Sequence, residues 1–140
     1  SAPGTDPGSH GCQHYEASQF MFYRRRIDPS AHLVLWQIGV AGDRSTGRTA
    51  TGPGHRRLLL ERLLEDYPPG HPTLLYEAAT LPIARPRIDG IPLEGIVEAE
   101  LGTQTTWVLP PARPLERDEA MLDRITALDR SVPIDTINKA

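Results

Sequence analysis

Apolar residues along this chain fall into short continuous runs separated by amphipathic stretches, the alternation expected of strands interleaved with helices. Residues 32–38, HLVLWQI, form one run bounded by Pro29 and Gly39. It suits a central strand covered on both faces. PTLLYEA, with a strand over 73–78, and TTWVL at 105–109 are further buried strands, rich in the residues that pack well on a pleated surface. Helical spacing appears four times. YEASQFMFYRR at 15–25 offers Tyr15, Ala17, Phe20, Met21 and Phe22 as apolar surface. HRRLLLERLLEDY at 55–67 stops at Pro68 and Pro69, and PLEGIVEAEL at 92–101 opens on Pro92. The last helix, over 115–128, is expected to turn Leu115, Met121, Leu122, Ile125 and Leu128 inward. ARPRIDG at 84–90 reads as an extended crossing segment. The expected fold class is α/β, a three-layer lobe with a mixed sheet over 15–130, preceded by a loop at 1–14 and followed by an irregular tail at 131–140.

Composition narrows the function classes. With 140 residues and 39% apolar content the chain has the size of one domain with a real core. A net charge of -3 supplies no broad attraction to nucleic acid or an anionic membrane. No apolar run approaches the roughly 20 residues of a membrane span. The polar start, SAPGTDPGSHG, is unlike a signal peptide, and the single Cys12 has neither a disulfide nor a CxxC partner; both favour a cytoplasmic setting. The chain opens without a methionine and is read as a fragment or processed product.

Few local constellations carry chemistry on their own. GDRSTGRT at 42–49 imitates a phosphate-binding loop, but Arg48 replaces the lysine and ATGPG intervenes before any helix, so a surface loop is the favoured reading. The histidines at 10, 14, 32, 55 and 71 lack ligand spacing, so no metal site is expected. Arg24, Arg25 and Arg26 are expected to serve the exposed carbonyls of the first helix rather than a nucleic acid. Glu16 and Glu77, each in a YEA triplet, are assigned a helix or interface hydrogen bond and the top of a strand beside a pocket, respectively. Gln37 is an amide in an apolar run, where an unpaired side chain costs about 1–3 kcal/mol; it needs either a structural partner or a ligand.

The segments LVLWQIG at 33–39, LLYEAATLPIARPRI at 74–88 and TTWVLPP at 105–111 resemble, in order and spacing, the C-terminal half of tetrapyrrole (corrin/porphyrin) methylases. The phrases DPGSHGCQHYEASQFMF, HLVLWQIGVAGD, YEAATLPIARPRIDGIPL and TTWVLPPA are most similar to the peptide-backbone N-methyltransferases of borosin biosynthesis, especially the split type. That resemblance covers about residues 6–128. It implies an S-adenosylmethionine-dependent methyltransferase whose cofactor lies between two lobes. Gln37 and Ile38, then Ala78, Ala79 and Thr80, then Thr105 and Thr106 match the cofactor-contacting segments. It further implies an N-terminal half carrying the glycine-rich turn and the catalytic tyrosines and arginine, a precursor peptide as substrate and a homodimer. No catalytic residue maps onto this chain. A lone lobe should expose apolar surface where the other half packs, with Phe20, Met21, Phe22 and Tyr23 as candidates. A corrin- or porphyrin-methylase lobe and a non-catalytic interaction module are the alternatives.

Overall fold

The computed structural model describes residues 7–45, 50–78 and 85–131. A short helical turn, α1 (Pro7–His10), precedes β1 (Cys12–Glu16), α2 (Ala17–Phe22) and β2 (His32–Trp36). Then follow a 3-10 turn at Ile38–Val40, α3 (Pro53–Leu63), β3 (Pro72–Glu77) and β4 (Arg87–Pro92). A second 3-10 turn at Leu93–Val97, β5 (Thr106–Leu109) and α4 (Glu119–Ser131) complete the order. The five strands form one mixed sheet in the order β1-β2-β5-β3-β4, so the α/β expectation is met. β1 is parallel to β2, while β5 runs antiparallel to both β2 and β3. The carboxyl ends of β1, β2 and β3 therefore meet the start of β5 at one edge of the sheet.

Register decides which residues make the core. Leu33 faces Leu109, and Trp107 lies opposite both Leu35 and Leu75. All five are fully buried. Ala17 and Phe20 of α2, Leu59, Leu60 and Leu63 of α3, and Leu93, Ile96 and Val97 close over them in one cluster. The next residues along each strand point the other way. Trp36 and Tyr76 flank Thr106 on that opposite face, and they are 46% and 42% exposed. Ile88, paired with Tyr76, is 64% exposed. The expectation that residues 32–38 form a strand covered on both faces is corrected: Leu33 and Leu35 are fully buried on one face, while the other grades from buried His32 through half-buried Val34 to exposed Trp36, where the strand stops.

All four helical expectations change, the one over 55–67 only in its bounds, Pro53–Leu63. Residues 15–25 are not one helix, because Tyr15 and Glu16 pair with Leu35 and Trp36 in the sheet. Glu16 instead caps α2, its carboxylate accepting from the amides of Ser18 at 3.2 Å and Gln19 at 2.9 Å. Since α2 ends at Phe22, Arg24–Arg26 do not serve its carbonyls. Arg62 from α3 does, donating to the carbonyls of Phe20 at 2.9 Å and Tyr23 at 3.3 Å. Arg25 stacks over the Tyr15 ring at 4.5 Å. Residues 92–101 form only five residues of 3-10 turn, since Gly95 and the β-branched Ile96 and Val97 weaken a longer helix. α4 begins at Glu119 with Asp118 capping Met121, and none of its residues is buried. Leu115, Met121, Ile125 and Leu128 are exposed rather than turned inward. Phe20 is a core residue, 2% exposed, which removes it from the candidate patch; Phe22 and Tyr23 are exposed. Of residues 131–140, expected to be an irregular tail, Ser131 ends α4 and 132–140 lie outside the described residues.

Arg56 ties α3 to the turn beside it. Its buried guanidinium donates to the Val97 carbonyl through Nε at 3.2 Å and Nη2 at 2.8 Å, and to the Thr51 carbonyl at 3.4 Å. Burial lowers its proton affinity below the usual arginine value, with Glu98 pulling the other way. Arg56→Ala is expected to cost about 1–3 kcal/mol in urea unfolding, the range for buried carbonyls left unpaired. Lysine should recover only part of the loss, because one ammonium cannot reproduce the fork.

Candidate functional site

The edge where β1, β2 and β3 end is the place to look for a ligand, because backbone groups leave the ladder there and helices begin. At the end of β2, Gln37 adopts a left-handed conformation, φ 54° and ψ 46°, uncommon for a residue with a Cβ. The turn redirects the chain so that the Ile38 amide donates to the Thr105 carbonyl at 3.0 Å. Thr105 in turn closes the loop before β5: its hydroxyl accepts from the Gly102 amide at 2.8 Å, and its amide donates to the Gly102 carbonyl at 3.3 Å. Gly39 and Gly102 let these two loops touch. A Cβ on Gly39 would stand 2.2 Å from the Gly102 carbonyl oxygen, a separation no side chain tolerates.

The structure thus brings together Gln37, Ile38, Thr105 and Thr106, residues from two segments distant in sequence. Ile38 and Thr105 are fully buried, so what they present to a ligand is main chain rather than side chain. Thr106 is half-buried and sits between Trp36 and Tyr76 on the open face of the sheet. Ala78 follows β3 and is exposed; Ala79 and Thr80 lie outside the described residues. Glu77, the last residue of β3, reaches the same loop: a Cβ on Gly102 would stand 2.6 Å from its Oε1. The sequence places Glu77 at the top of a strand, where the structure also has it, but does not single out Gly39 or Gly102. A glycine in a loop gives no signal of what backbone it will face.

A hollow of about 620 Å³ among the described residues lies elsewhere. Its walls include Pro72, Leu74, Ile91, Pro92, Pro110 and Pro111, at the opposite end of β3. His71 is its ionisable group, and that ring is already committed, Nε2 meeting the Pro110 carbonyl at 2.7 Å. An apolar hollow without convergent polar groups is a weaker site than a smaller edge where main-chain groups and a carboxylate meet. Within the imitation phosphate loop, residues 46–49 lie outside the described residues, and α3 starts only at Pro53. Among the described residues, no three His, Cys, Asp or Glu side chains gather as metal ligands. Nor is any described helix long and apolar enough to cross a membrane.

No protein-family model matches the chain. Sequence similarity to curated proteins is extensive, and the homologues are methyltransferases fused to peptide precursors. The methyltransferase and omphalotin A cyclic-peptide precursor of Omphalotus olearius is 33% identical over 113 residues, 77% of this chain and 27% of the relative. The corresponding gymnopeptides precursor of Gymnopus fusipes is 32% identical over 112 residues, with the same coverage. A methyltransferase and type I borosin cyclic-peptide precursor of Coprinopsis marcescibilis is 32% identical over 118 residues, 79% of this chain and 30% of the relative. The chain spans between a quarter and a third of the length of these relatives.

Proposed function

We propose that this chain is the C-terminal lobe of an S-adenosylmethionine-dependent methyltransferase that methylates backbone amides of a borosin-type precursor peptide. The observation that carries the reading is similarity above 30% identity, over more than three quarters of the chain, to borosin-type methyltransferase precursors. The resemblance to the tetrapyrrole methylase superfamily supplies the two-lobed architecture, with the chain as one wall of the cleft. Activity then needs the N-terminal half as partner, and the lobe alone is inactive. The complete enzyme is a cytoplasmic homodimer.

The groups at the carboxyl edge suit the adenosine end of that cofactor. The glycines at 39 and 102 bring main chain close, and the small residues expected there, Ala78, Ala79, Thr80, Thr105 and Thr106, admit a flat ring. Gln37 and Ile38 end β2 at the same place. Main-chain N–H and C=O groups read an adenine edge without a dedicated side chain. S-adenosylmethionine supplies an activated methyl group, so the protein's work is to position the acceptor and manage the proton on its nitrogen. This lobe contributes positioning: it fixes one wall and excludes water from it. The proton-handling groups belong to the other half.

With one wall present, much of the cofactor would remain in water and lose the burial that sustains affinity. Calorimetry of the chain alone is expected to give a Kd for S-adenosylmethionine weaker than about 1 mM. Micromolar binding by these residues without a partner would overturn the half-site reading.

A further inference from the structure

The unexplained group at the carboxyl edge is the Glu77 side chain. It ends β3, is half-buried, and lies against the Gly102 loop, one ladder position beyond the Tyr76–Thr106 pair. Its neighbour across the ladder is Arg87, the obvious counter-ion. That guanidinium is turned away: Nε pairs with Asp89 at 2.6 Å, and Nη1 donates to the Glu100 carbonyl. Among the described residues, the Glu77 carboxylate has no ion-pair partner and accepts no hydrogen bond. A half-buried carboxylate is best satisfied by donors, and among the described residues none is supplied to it. The absence of a side chain at Gly102 gives its Oε1 room beside the same loop that Thr105 closes.

Resting on the assignment of this edge to the adenosine end of the cofactor, we infer that Glu77 is a specificity-determining residue that accepts hydrogen bonds from the vicinal hydroxyls of the ribose. An ionised carboxylate only accepts, so its ligand must present donors. Adenosine offers two adjacent hydroxyls, which match the two carboxylate oxygens, and a carboxylate at the end of a strand is a recurring acceptor for such a diol. The ammonium of the methionine end is the other donor on the cofactor. Distance along the molecule separates the two: with the adenine against Thr105 and Thr106, the ribose is the next group outward, and Glu77 adjoins these threonines on the neighbouring strand.

Adenosine at about 10 mM, a concentration at which millimolar binding is seen, is the probe, followed on the intact chain by amide chemical-shift changes in NMR. Glu77→Gln keeps the shape of the side chain and removes its charge. It should raise the adenosine Kd, read from the titration of those shifts, about tenfold, as expected when a hydrogen bond to a charged group is lost. Adenine occupancy should not change. 2′,3′-Dideoxyadenosine should bind wild type and Glu77→Gln alike. Gly102→Ala, whose new methyl displaces Oε1, should reproduce the adenosine loss with the carboxylate still present. Equal adenosine binding by wild type and Glu77→Gln overturns the role of Glu77 while leaving the edge as an adenine site. A Glu77→Gln defect confined to L-methionine assigns the carboxylate to the ammonium and overturns the ribose assignment. Shifts at the edge with none of the four ligands overturn the assignment of the edge itself, and the inference with it.

Discussion

Trp107→Ala is expected to lower the unfolding free energy by about 3–5 kcal/mol, measured by urea denaturation followed by far-ultraviolet circular dichroism. Trp107 is fully buried in β5, with Leu35 on one neighbouring strand and Leu75 on the other. Removing the indole opens a cavity at the centre of the sheet. It also removes a buried hydrogen bond, because the indole N–H donates to Thr73 Oγ1 at 2.8 Å, leaving that hydroxyl only its bond to the Ile91 carbonyl. Domains of this size have about 5–15 kcal/mol in hand, so the variant should be close to unfolding at 37 °C. Trp107→Phe, which keeps most of the volume and loses the donor, should fall between alanine and wild type. A loss below 1 kcal/mol for alanine would mean that β5 does not hold β2 to β3.

Gly39→Ala should be nearly as damaging, at roughly 3 kcal/mol, although it adds only a methyl group. The methyl would stand 2.2 Å from the Gly102 carbonyl oxygen and 2.8 Å from its carbon, both backbone atoms that cannot rotate away. Relief requires the two loops to part, which breaks the Ile38–Thr105 hydrogen bond and opens the candidate cofactor wall. The signature is therefore double: a lower unfolding midpoint and, in the chain joined to the proposed N-terminal half, a weaker apparent affinity for the proposed cofactor, S-adenosylmethionine. Gly52→Ala is the control, since nothing lies within 4 Å of its added methyl. Equal stability of the two variants would show that the loops do not touch in solution.

The placement of some candidate residues was legible from residue order. Gln37 stood out as an amide ending an apolar run, and the structure places it at the turn that ends β2. Thr105 and Thr106 lie beside it because β5 runs antiparallel to β2, which pattern alone does not tell. Glu16 was legible as a group making a helix hydrogen bond, yet not as the boundary between strand and helix. Its role depends on Tyr15 and Glu16 being claimed by β2. Local periodicity sees the apolar residues at 15, 20 and 22 and cannot see the parallel partner that removes the first from the helix.

The sequence by itself determined the strands at 33–36, 73–77 and 106–109 and the helix that the leucines of 55–63 build, because each rests on a continuous apolar run or a 3.6-residue period. It also determined the kinship, because similarity is a property of residue order. Tertiary structure alone decided the rest. Which face of the sheet is packed follows from strand register. That Arg62 rather than Arg24–Arg26 meets the end of α2 follows from the approach of α3. The exposed stripe of α4 reads the same in sequence whether it is covered or bare. The contact of Gly39 with Gly102, and with it the closeness of Gln37, Thr105 and Glu77, exists only once three strands distant in the chain share an edge. Periodicity reports what each segment can bury, and only packing determines what each segment meets.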